Sequence, residues 1–269
     1  MKKFTKDNLT VQVYDSRDEM GADSAKDVAA AINEVLSVKD ECNMIFAAAP
    51  SQNEVLASLA ADKSVDFSRI NAFHMNEYIG LDKDAPQGFG NFLRNAIFEK
   101  APFKSVNYIE ANKQATEKLM REKNLSFSLA LLEICRNYTK LLQDNPIDIV
   151  VMGIGENGHI AFNDPPVADF SDPLYIKPVA LDEVCRNQQV NDGCFDSIDK
   201  VPTHALTLTV PTLLSGKKLF CIVPAPTKAK AVKDTVECEI SPAVPATCLR
   251  KHPSCILYLD PDSSSLLNV

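Results

Sequence analysis

The segment with the densest set of reactive side chains is GIGENGHIAFNDPP, which begins at Gly153. His159 lies at its centre, with Asn157 before it and Asp164 after it. A histidine exchanges a proton near neutral pH, and neighbouring carboxylates and amides can orient its ring and tune its proton affinity. The segment therefore predicts a catalytic loop in which His159 is the general acid or base.

The glycines of this loop also match the spacing of a dinucleotide-binding turn. Such a turn needs its third glycine to open a helix of about ten residues or more, whose N-terminus holds the pyrophosphate. Here only IAFND separates the glycine-histidine pair from Pro165 and Pro166, and proline ends a helix early. We interpret the glycines as shaping a tight turn that presents His159, and we expect no nucleotide or other cofactor.

The surrounding sequence alternates short apolar runs rich in β-branched residues with segments of helical period, which is typical of βαβ units. The predicted strands are Met44 to Ala48, Ile70 to His74, Val106 to Ile109, Ile147 to Met152, Ala205 to Val210, Leu219 to Val223 and Cys255 to Leu259. The predicted helices are Ala25 to Val38, Glu54 to Ala61, Phe89 to Ile97, Ser126 to Leu142, Lys228 to Val236 and Ala246 to Lys251. This order predicts one three-layer, Rossmann-like α/β domain over residues 1–269, with a doubly wound and mainly parallel sheet.

Open parallel sheets bind ligands at the carboxyl ends of their strands. Three segments that follow predicted strands carry polar side chains, namely AAAPSQNE, MNEYIGL and the His159 loop. The stretch from Pro165 to Thr203 has no clear period and is too long for an idle connection. We predict that it forms a flap or wall of the active site.

Composition excludes several classes of partner. The chain has 28 Lys and Arg against 36 Asp and Glu, a net charge of -8, which disfavours nucleic acids and anionic membranes. It has no apolar stretch of about 18 residues and no apolar segment of a signal peptide after its N-terminal lysines. Its eight cysteines form no CxxC pair and no HExxH motif is present, so we expect reduced thiols, a cytoplasmic location and no metal site.

The loop GIGENGHIAFNDP resembles the catalytic loop of the glucosamine-6-phosphate deaminase/isomerase family. The resemblance continues, in the same order, through FHMNEYIGL, VPTHALTLTVPTLL and the lysine of APTKAKAV. The related 6-phosphogluconolactonases share the glycines and the GH pair but usually continue into a Ser-Leu-Phe-Pro run, so IAFNDP favours the aminosugar branch. The resemblance implies conversion of glucosamine 6-phosphate and water into fructose 6-phosphate and ammonia without a cofactor.

In that family the loop histidine assists ring opening, two acidic residues orient it, and a third acid removes the proton on C2. By position, His159 matches the histidine and Asp164 matches one orienting acid. Asn157 falls on the other orienting acid, and Asn76 falls on the acid that abstracts the proton. An amide has no useful basicity near neutral pH, so losing this base would cost about 10²- to 10⁴-fold in rate, or roughly 3 to 5 kcal/mol.

Three side chains are candidates to replace the missing base. Glu77 directly follows Asn76, and Glu156 directly precedes Asn157. In a regular strand a shift of one residue points to the opposite face, but a loop relaxes that constraint. His74 is the weakest of the three candidates.

The resemblance also implies a phosphate site built from a polar turn, an arginine and a lysine at a helix start. Lys228 matches the lysine, and the free N–H groups of a helix start favour anions. Ser51, Gln52 and Asn53 fall on the turn, where they are either donors or a plain helix cap. The family's arginine has no counterpart at its own position, and Arg186 is either a replacement phosphate clamp or an ordinary loop arginine.

The leading hypothesis is an isomerase/deaminase that acts on a 6-phosphosugar by proton transfer at C1 and C2. One alternative is a lactonase-like hydrolase in which His159 activates water. Another is a non-catalytic phosphosugar-binding protein, because Asn76 and Asn157 replace acids. The sequence leaves open whether the chain forms a homo-oligomer.

Overall fold

The computed structural model describes residues 1–268 and contains eleven strands and eight α-helices in that range. The strands are β1 (Lys2–Lys6), β2 (Leu9–Val13), β3 (Cys42–Phe46), β4 (Ile70–His74), β5 (Asn76–Tyr78), β6 (Ser105–Asn107), β7 (Ile149–Met152), β8 (Ile176–Ala180), β9 (His204–Leu208), β10 (Lys218–Val223) and β11 (Cys255–Leu259). The helices are α1 (Arg17–Val38), α2 (Asn53–Ala61), α3 (Phe89–Leu93), α4 (Lys113–Lys123), α5 (Phe127–Asp144), α6 (Glu183–Asn191), α7 (Val210–Leu214) and α8 (Ala229–Glu237).

An eight-stranded sheet forms the centre of the molecule, in the order β1-β2-β11-β10-β7-β3-β4-β6. Only the β1–β2 pair is antiparallel, and the other pairs are parallel. The central strands β3, β4 and β7 are buried along their whole length, as expected for parallel strands covered by helices on both faces. Two apolar clusters fill the space between sheet and helices. The predicted α/β class with a mainly parallel sheet is confirmed.

The second sheet was not predicted. It has the order β5-β9-β8 and is antiparallel. Only one residue separates the end of β4 from the start of β5. The strand predicted from Ala205 to Val210 therefore forms as β9, but it belongs to this small sheet rather than to the central one. The apolar run alone does not specify a strand's partner, since pairing is set by chain segments distant in sequence.

Two predicted helices differ from the observed backbone. The segment expected from Phe89 to Ile97 forms α3 and then one π-helical stretch, Arg94–Phe98, and the segment near Ala246 is a 3-10 helix, Pro245–Lys251. Helices α4 and α6 were missed because both are strongly polar. Only Thr116 of α4 is buried, so its sequence carries no apolar stripe.

The stretch from Pro165 to Thr203 contains β8, α6 and a 3-10 helix, Ile198–Lys200. Antiparallel pairing of β8 with β9 fixes it to the same small sheet that holds β5. Among the described residues, no helix is long and apolar enough to cross a membrane.

Candidate active site

A cavity lies beyond the carboxyl ends of β3, β4 and β7, where an open parallel sheet is expected to bind its ligand. Its walls come from the segments after these strands, from α3 and α6, and from the start of α8. The polar side chains that line it are Ser51, Gln52, Asn76, His159, Gln188, Gln189 and Lys228. Of the lining side chains in the described chain, only those of His159 and Lys228 are ionisable nitrogen bases.

The glycines of the loop after β7 hold a turn rather than a helix start. Gly158 adopts a φ of +81°, in the left-handed region that favours glycine, and its N–H donates to the carbonyl of Gly155 at 2.9 Å. A Cβ on Gly155 would lie 2.1 Å from the His159 ring. Glycine is therefore required at position 155 so that the imidazole can fold back over the turn.

His159 is oriented from one side of its ring. Its Nδ1 lies 2.7 Å from Oδ1 of Asn157 and 3.0 Å from Oδ1 of Asp164. Both neighbours are acceptors, which places the ring proton on Nδ1 and leaves Nε2 free to accept a proton. Asn157 also accepts from the His159 backbone N–H at 3.0 Å, so the amide performs the orienting function expected of an acid.

Asp164 is the buried acid that supports this imidazole, with 1% of its surface exposed. Burial raises the pKa of its carboxyl, but the nearby His159 and the hydrogen bonds from Asn157 and the Asp182 N–H outweigh burial and bring that pKa below its usual range. Asp164 is therefore ionised at neutral pH and stabilises a positive charge on His159. The thiol of Cys185, at the third position of α6, lies against the same carboxylate.

Asn76 and Glu77 point to opposite faces of β5. Asn76 lines the cavity with His159, whereas Glu77 lies on the other side, where its carboxylate accepts from the backbone N–H groups of Tyr78, Phe89 and Gly90 at 2.8 to 3.0 Å. Burial raises the pKa of Glu77 to about 7, with the three N–H groups opposing that rise. The regular strand thus removes Glu77 as a replacement for the missing base.

The two other candidate bases also lie outside the cavity lining. The carboxylate of Glu156 accepts from Asn191 at 3.4 Å. His74 is buried, its Nε2 accepts from the Ile109 N–H at 2.8 Å, and burial lowers its pKa to about 4. Neither side chain is placed to take a proton from a ligand in the cavity.

The opposite end of the cavity is suited to an anion. Lys228 is 4% exposed, and its Nζ has no hydrogen-bond partner within residues 1–268. Burial lowers the pKa of this ammonium, against the attraction of Asp192 and Glu156. Gln52 donates to Ser51 Oγ and to a backbone carbonyl at 3.1 Å each, and its own Oε1 has no partner in the same described range.

Two residues predicted for the phosphate end lie elsewhere. Asn53 is the exposed first residue of α2 and does not line the cavity. Arg186 donates to the carbonyls of Ile198 and Val201 at 2.7 and 3.0 Å, which anchors α6 to the following 3-10 helix. These contacts agree with the interpretation of Arg186 as an ordinary structural arginine. They do not agree with the alternative, a phosphate clamp, because the guanidinium is bound to backbone carbonyls.

Gln188 and Gln189, which reach the cavity from α6, were not predicted from the sequence. Gln188 accepts from the Glu156 N–H at 2.8 Å and donates to Asp192 at 3.2 Å, so α6 is tied to the His159 loop. Both amides are about nine-tenths buried. The stretch from Pro165 to Thr203 has no periodic pattern of apolar residues, so its sequence does not show which side chains face the cavity.

Comparison with known proteins agrees with this geometry. The family model described as glucosamine-6-phosphate isomerases/6-phosphogluconolactonase matches residues 15–257. The chain belongs to this family. A glucosamine-6-phosphate deaminase of Lactobacillus delbrueckii is 33% identical over 214 residues, which cover 80% of this chain and 81% of the relative. One of Bacillus cereus is 32% identical over 235 residues, covering 87% and 82% respectively.

Solved structures give the same fold. A monomeric glucosamine-6-phosphate deaminase superposes with a TM-score of 0.81 at 26% identity, over 96% of this chain and 99% of that one. A 6-phosphogluconolactonase from Thermotoga maritima superposes with a TM-score of 0.69 at 16% identity, over 94% and 99%. The predicted membership of this enzyme family is confirmed.

Proposed function

We propose that this protein is an aldose-ketose isomerase/deaminase that acts on glucosamine 6-phosphate or a close 6-phosphosugar. The observation that carries the proposal is that one oriented base, His159, and one buried cation without a partner, Lys228, line the same cavity. A phosphorylated sugar presents the two groups that these residues fit, a hydroxyl that loses a proton and an anion.

The phosphate occupies the Lys228 end in this proposal. The ammonium supplies the charge, and Ser51 and the glutamines of α6 supply uncharged hydrogen bonds. The Gln52 amide already donates to Ser51 and to a backbone carbonyl, so only its oxygen is free, and an oxygen cannot donate to phosphate. A charge-assisted hydrogen bond to phosphate stabilises the complex by about 1.5 to 3 kcal/mol, and binding also relieves the cost of an unpaired buried ammonium. With no arginine lining the cavity, Lys228 is the main anchor.

The sugar ring then lies toward His159. Nε2 accepts the proton of the anomeric hydroxyl while Asp164 stabilises the imidazolium. The imidazolium then gives this proton to the ring oxygen as the bond from C1 to that oxygen breaks, so the ring opens and His159 is neutral again. Asn76 hydrogen-bonds the substrate but cannot remove the C2 proton. His159 is the one base lining the cavity in the described chain, so it carries the proton between C2 and C1 as well, and we expect a slow reaction.

Incubation with glucosamine 6-phosphate in D2O tests the proposal, with C2-H followed by NMR and ammonia by assay. We expect exchange at C2, and the variant Asn76→Asp should accelerate it by at least about 10-fold, because a positioned base contributes about 10²- to 10⁴-fold. Asn76→Ser is the matched control and should not accelerate it. Demonstrated binding with no exchange and no ammonia in either protein would favour a binding protein.

A second function is favoured because no carboxylate of residues 1–268 lines the cavity. Hydrolysis of a 6-phosphogluconolactone needs only one base to activate water and one anchor for phosphate, and His159 with Lys228 meets both needs. Comparison of initial rates on the lactone and on glucosamine 6-phosphate separates the two functions. Hydrolysis of the lactone that depends on His159, without C2 exchange on the aminosugar, would establish the hydrolase.

A further inference from the structure

A cluster of three side chains beside the cavity offers ligands of three chemical types. Ligand atoms of His159, Asp164 and Cys185 all lie within 4.8 Å of one another, and all three residues are buried. The proposed function uses the first two and leaves the thiol without a role. The sequence showed no such cluster because Cys185 is 21 residues beyond Asp164, in the stretch without apolar period.

The backbone holds this cluster together. Asp182 is the N-cap of α6, and its side chain accepts from the Val184 N–H at 2.6 Å. Its own backbone N–H donates to the second carboxylate oxygen of Asp164. The start of α6 is thus fastened to the His159 loop, which fixes Cys185 against the carboxylate.

Each of the three donor types is a ligand that zinc uses in proteins. Imidazole nitrogen, carboxylate oxygen and thiolate sulfur bind Zn²⁺ at about 2.0 to 2.3 Å, which places tetrahedral ligand atoms about 3.3 to 3.8 Å apart. His159 Nδ1 and Asp164 Oδ1 are 3.0 Å apart, close to that separation. Three protein ligands leave a fourth position for water, as in open zinc sites.

We propose that His159, Asp164 and Cys185 form a Zn²⁺ site, and that the bound ion abolishes the proton transfer by His159, an effect that rests on the function proposed above. Binding forms one bond from the metal to each side chain and changes no oxidation state. Cys185 releases its thiol proton to solvent, Asp164 binds as the carboxylate, and the imidazole binds through Nδ1 after its ring proton moves to Nε2. One proton is therefore released for each ion bound.

Inactivation follows from the position of that ring proton. In the metal-free protein Nδ1 carries the proton toward Asn157 and Asp164, and Nε2 is the base. Once a metal occupies Nδ1, Nε2 holds the proton and can no longer accept one from a substrate. The ion also takes the carboxylate that would stabilise the imidazolium.

Titration of the full chain with Co²⁺, a spectroscopic substitute for Zn²⁺, tests the site without depending on any activity. We expect a thiolate-to-cobalt charge-transfer band that saturates at one ion per chain and disappears when Zn²⁺ is added. The band should be retained in Cys194→Ser, a half-buried thiol outside the cluster, and lost in Cys185→Ser. Zn²⁺ affinity in Cys185→Ser should fall by more than about 100-fold, since even outer-shell changes cost about 10- to 100-fold.

A charge-transfer band that persists in Cys185→Ser, or the lack of any band in the native chain, would overturn the site. Circular dichroism verifies that Cys185→Ser is folded. If it is not, His159→Gln replaces it, and unchanged Zn²⁺ affinity in His159→Gln would equally overturn the site. Where a turnover assay is established, Zn²⁺ should inhibit the native chain and Cys194→Ser at the same concentration.

Discussion

The two ends of the cavity differ in how far their polar groups are satisfied. At the His159 end, each ring contact is made by groups of the same loop, through Asn157 and Asp164. At the Lys228 end, the ammonium and the Gln52 Oε1 are buried without partners in the described chain. A self-contained network fixes a proton-transfer group before substrate arrives, whereas an unpaired buried ammonium is explained by an anionic ligand, and an unpaired amide oxygen by a donor group of the same ligand.

The largest effect should come from a substitution at the His159 end of the cavity. His159→Gln keeps a hydrogen-bonding side chain but removes the base, so kcat/KM on the active phosphosugar should fall by about 10²- to 10⁴-fold. Steady-state kinetics measures it, and His204→Gln, an exposed histidine outside the cavity lining, is the matched control. Equal losses in both variants would show that the cavity is not the site of reaction.

The stability of the protein should respond to pH through Glu77, which lies on the face of β5 that points away from the cavity. Because burial raises the pKa of this carboxyl to about 7, the folded protein holds the proton more tightly than the unfolded chain. Its contribution, at most about 3 kcal/mol, is present below its ordinary pKa of 4.5 and is lost as the pH rises through 7.

Urea unfolding of the native chain and Glu77→Gln across this pH range measures the effect. The unfolding free energy of the native chain minus that of Glu77→Gln should fall as the pH rises, by at most about 3 kcal/mol, since the variant cannot titrate at this position. Gln114→Ala serves as the control, because the Gln114 side chain bonds Asp82 and the Lys83 N–H and not the Glu77 carboxylate. Parallel pH curves for native chain and Glu77→Gln would contradict the raised pKa.

At the Lys228 end of the cavity, the substitution Lys228→Met should weaken binding of the phosphosugar and raise the stability of the free protein. Affinity for the phosphosugar should fall by about 10- to 100-fold, because a charge-assisted hydrogen bond is lost. The unfolding free energy of the free protein should rise, because a buried ammonium without a partner is removed. Calorimetry and urea unfolding measure both, with Lys230→Met on the exposed side of α8 as control. A variant that loses stability and keeps affinity would mean that Lys228 has a structural role.

The smallest effect should come from Gln189→Ala. One neutral hydrogen bond to the ligand contributes about 0.5 to 1.5 kcal/mol, so affinity should fall by about 2- to 10-fold. Asn191→Ala, exposed on the same helix, should bind like the native chain. If both bind normally, α6 is only a wall, and the anion end consists of Lys228 and the turn after β3.

Much of the fold could be predicted because apolar runs in a parallel sheet are long and buried. The bounds predicted for β4 and β11 coincide with the observed ones. The elements that sequence reasoning missed are short or polar, such as β5 with three residues and α6 with a mostly polar surface. Their conformation depends on partners distant in the chain, namely β9 for β5 and the His159 loop for α6.

The sequence by itself determined the family and the conformation of the glycine loop with His159 at its centre, because glycine spacing and local polar residues act over a few positions. It also determined that Asn76 is an amide and cannot be a base. Only the tertiary structure decided that Glu77 faces away from the cavity, that Arg186 binds backbone carbonyls, and that Cys185 meets His159 and Asp164. These outcomes depend on strand register and helix docking, which bring together residues that no local pattern connects.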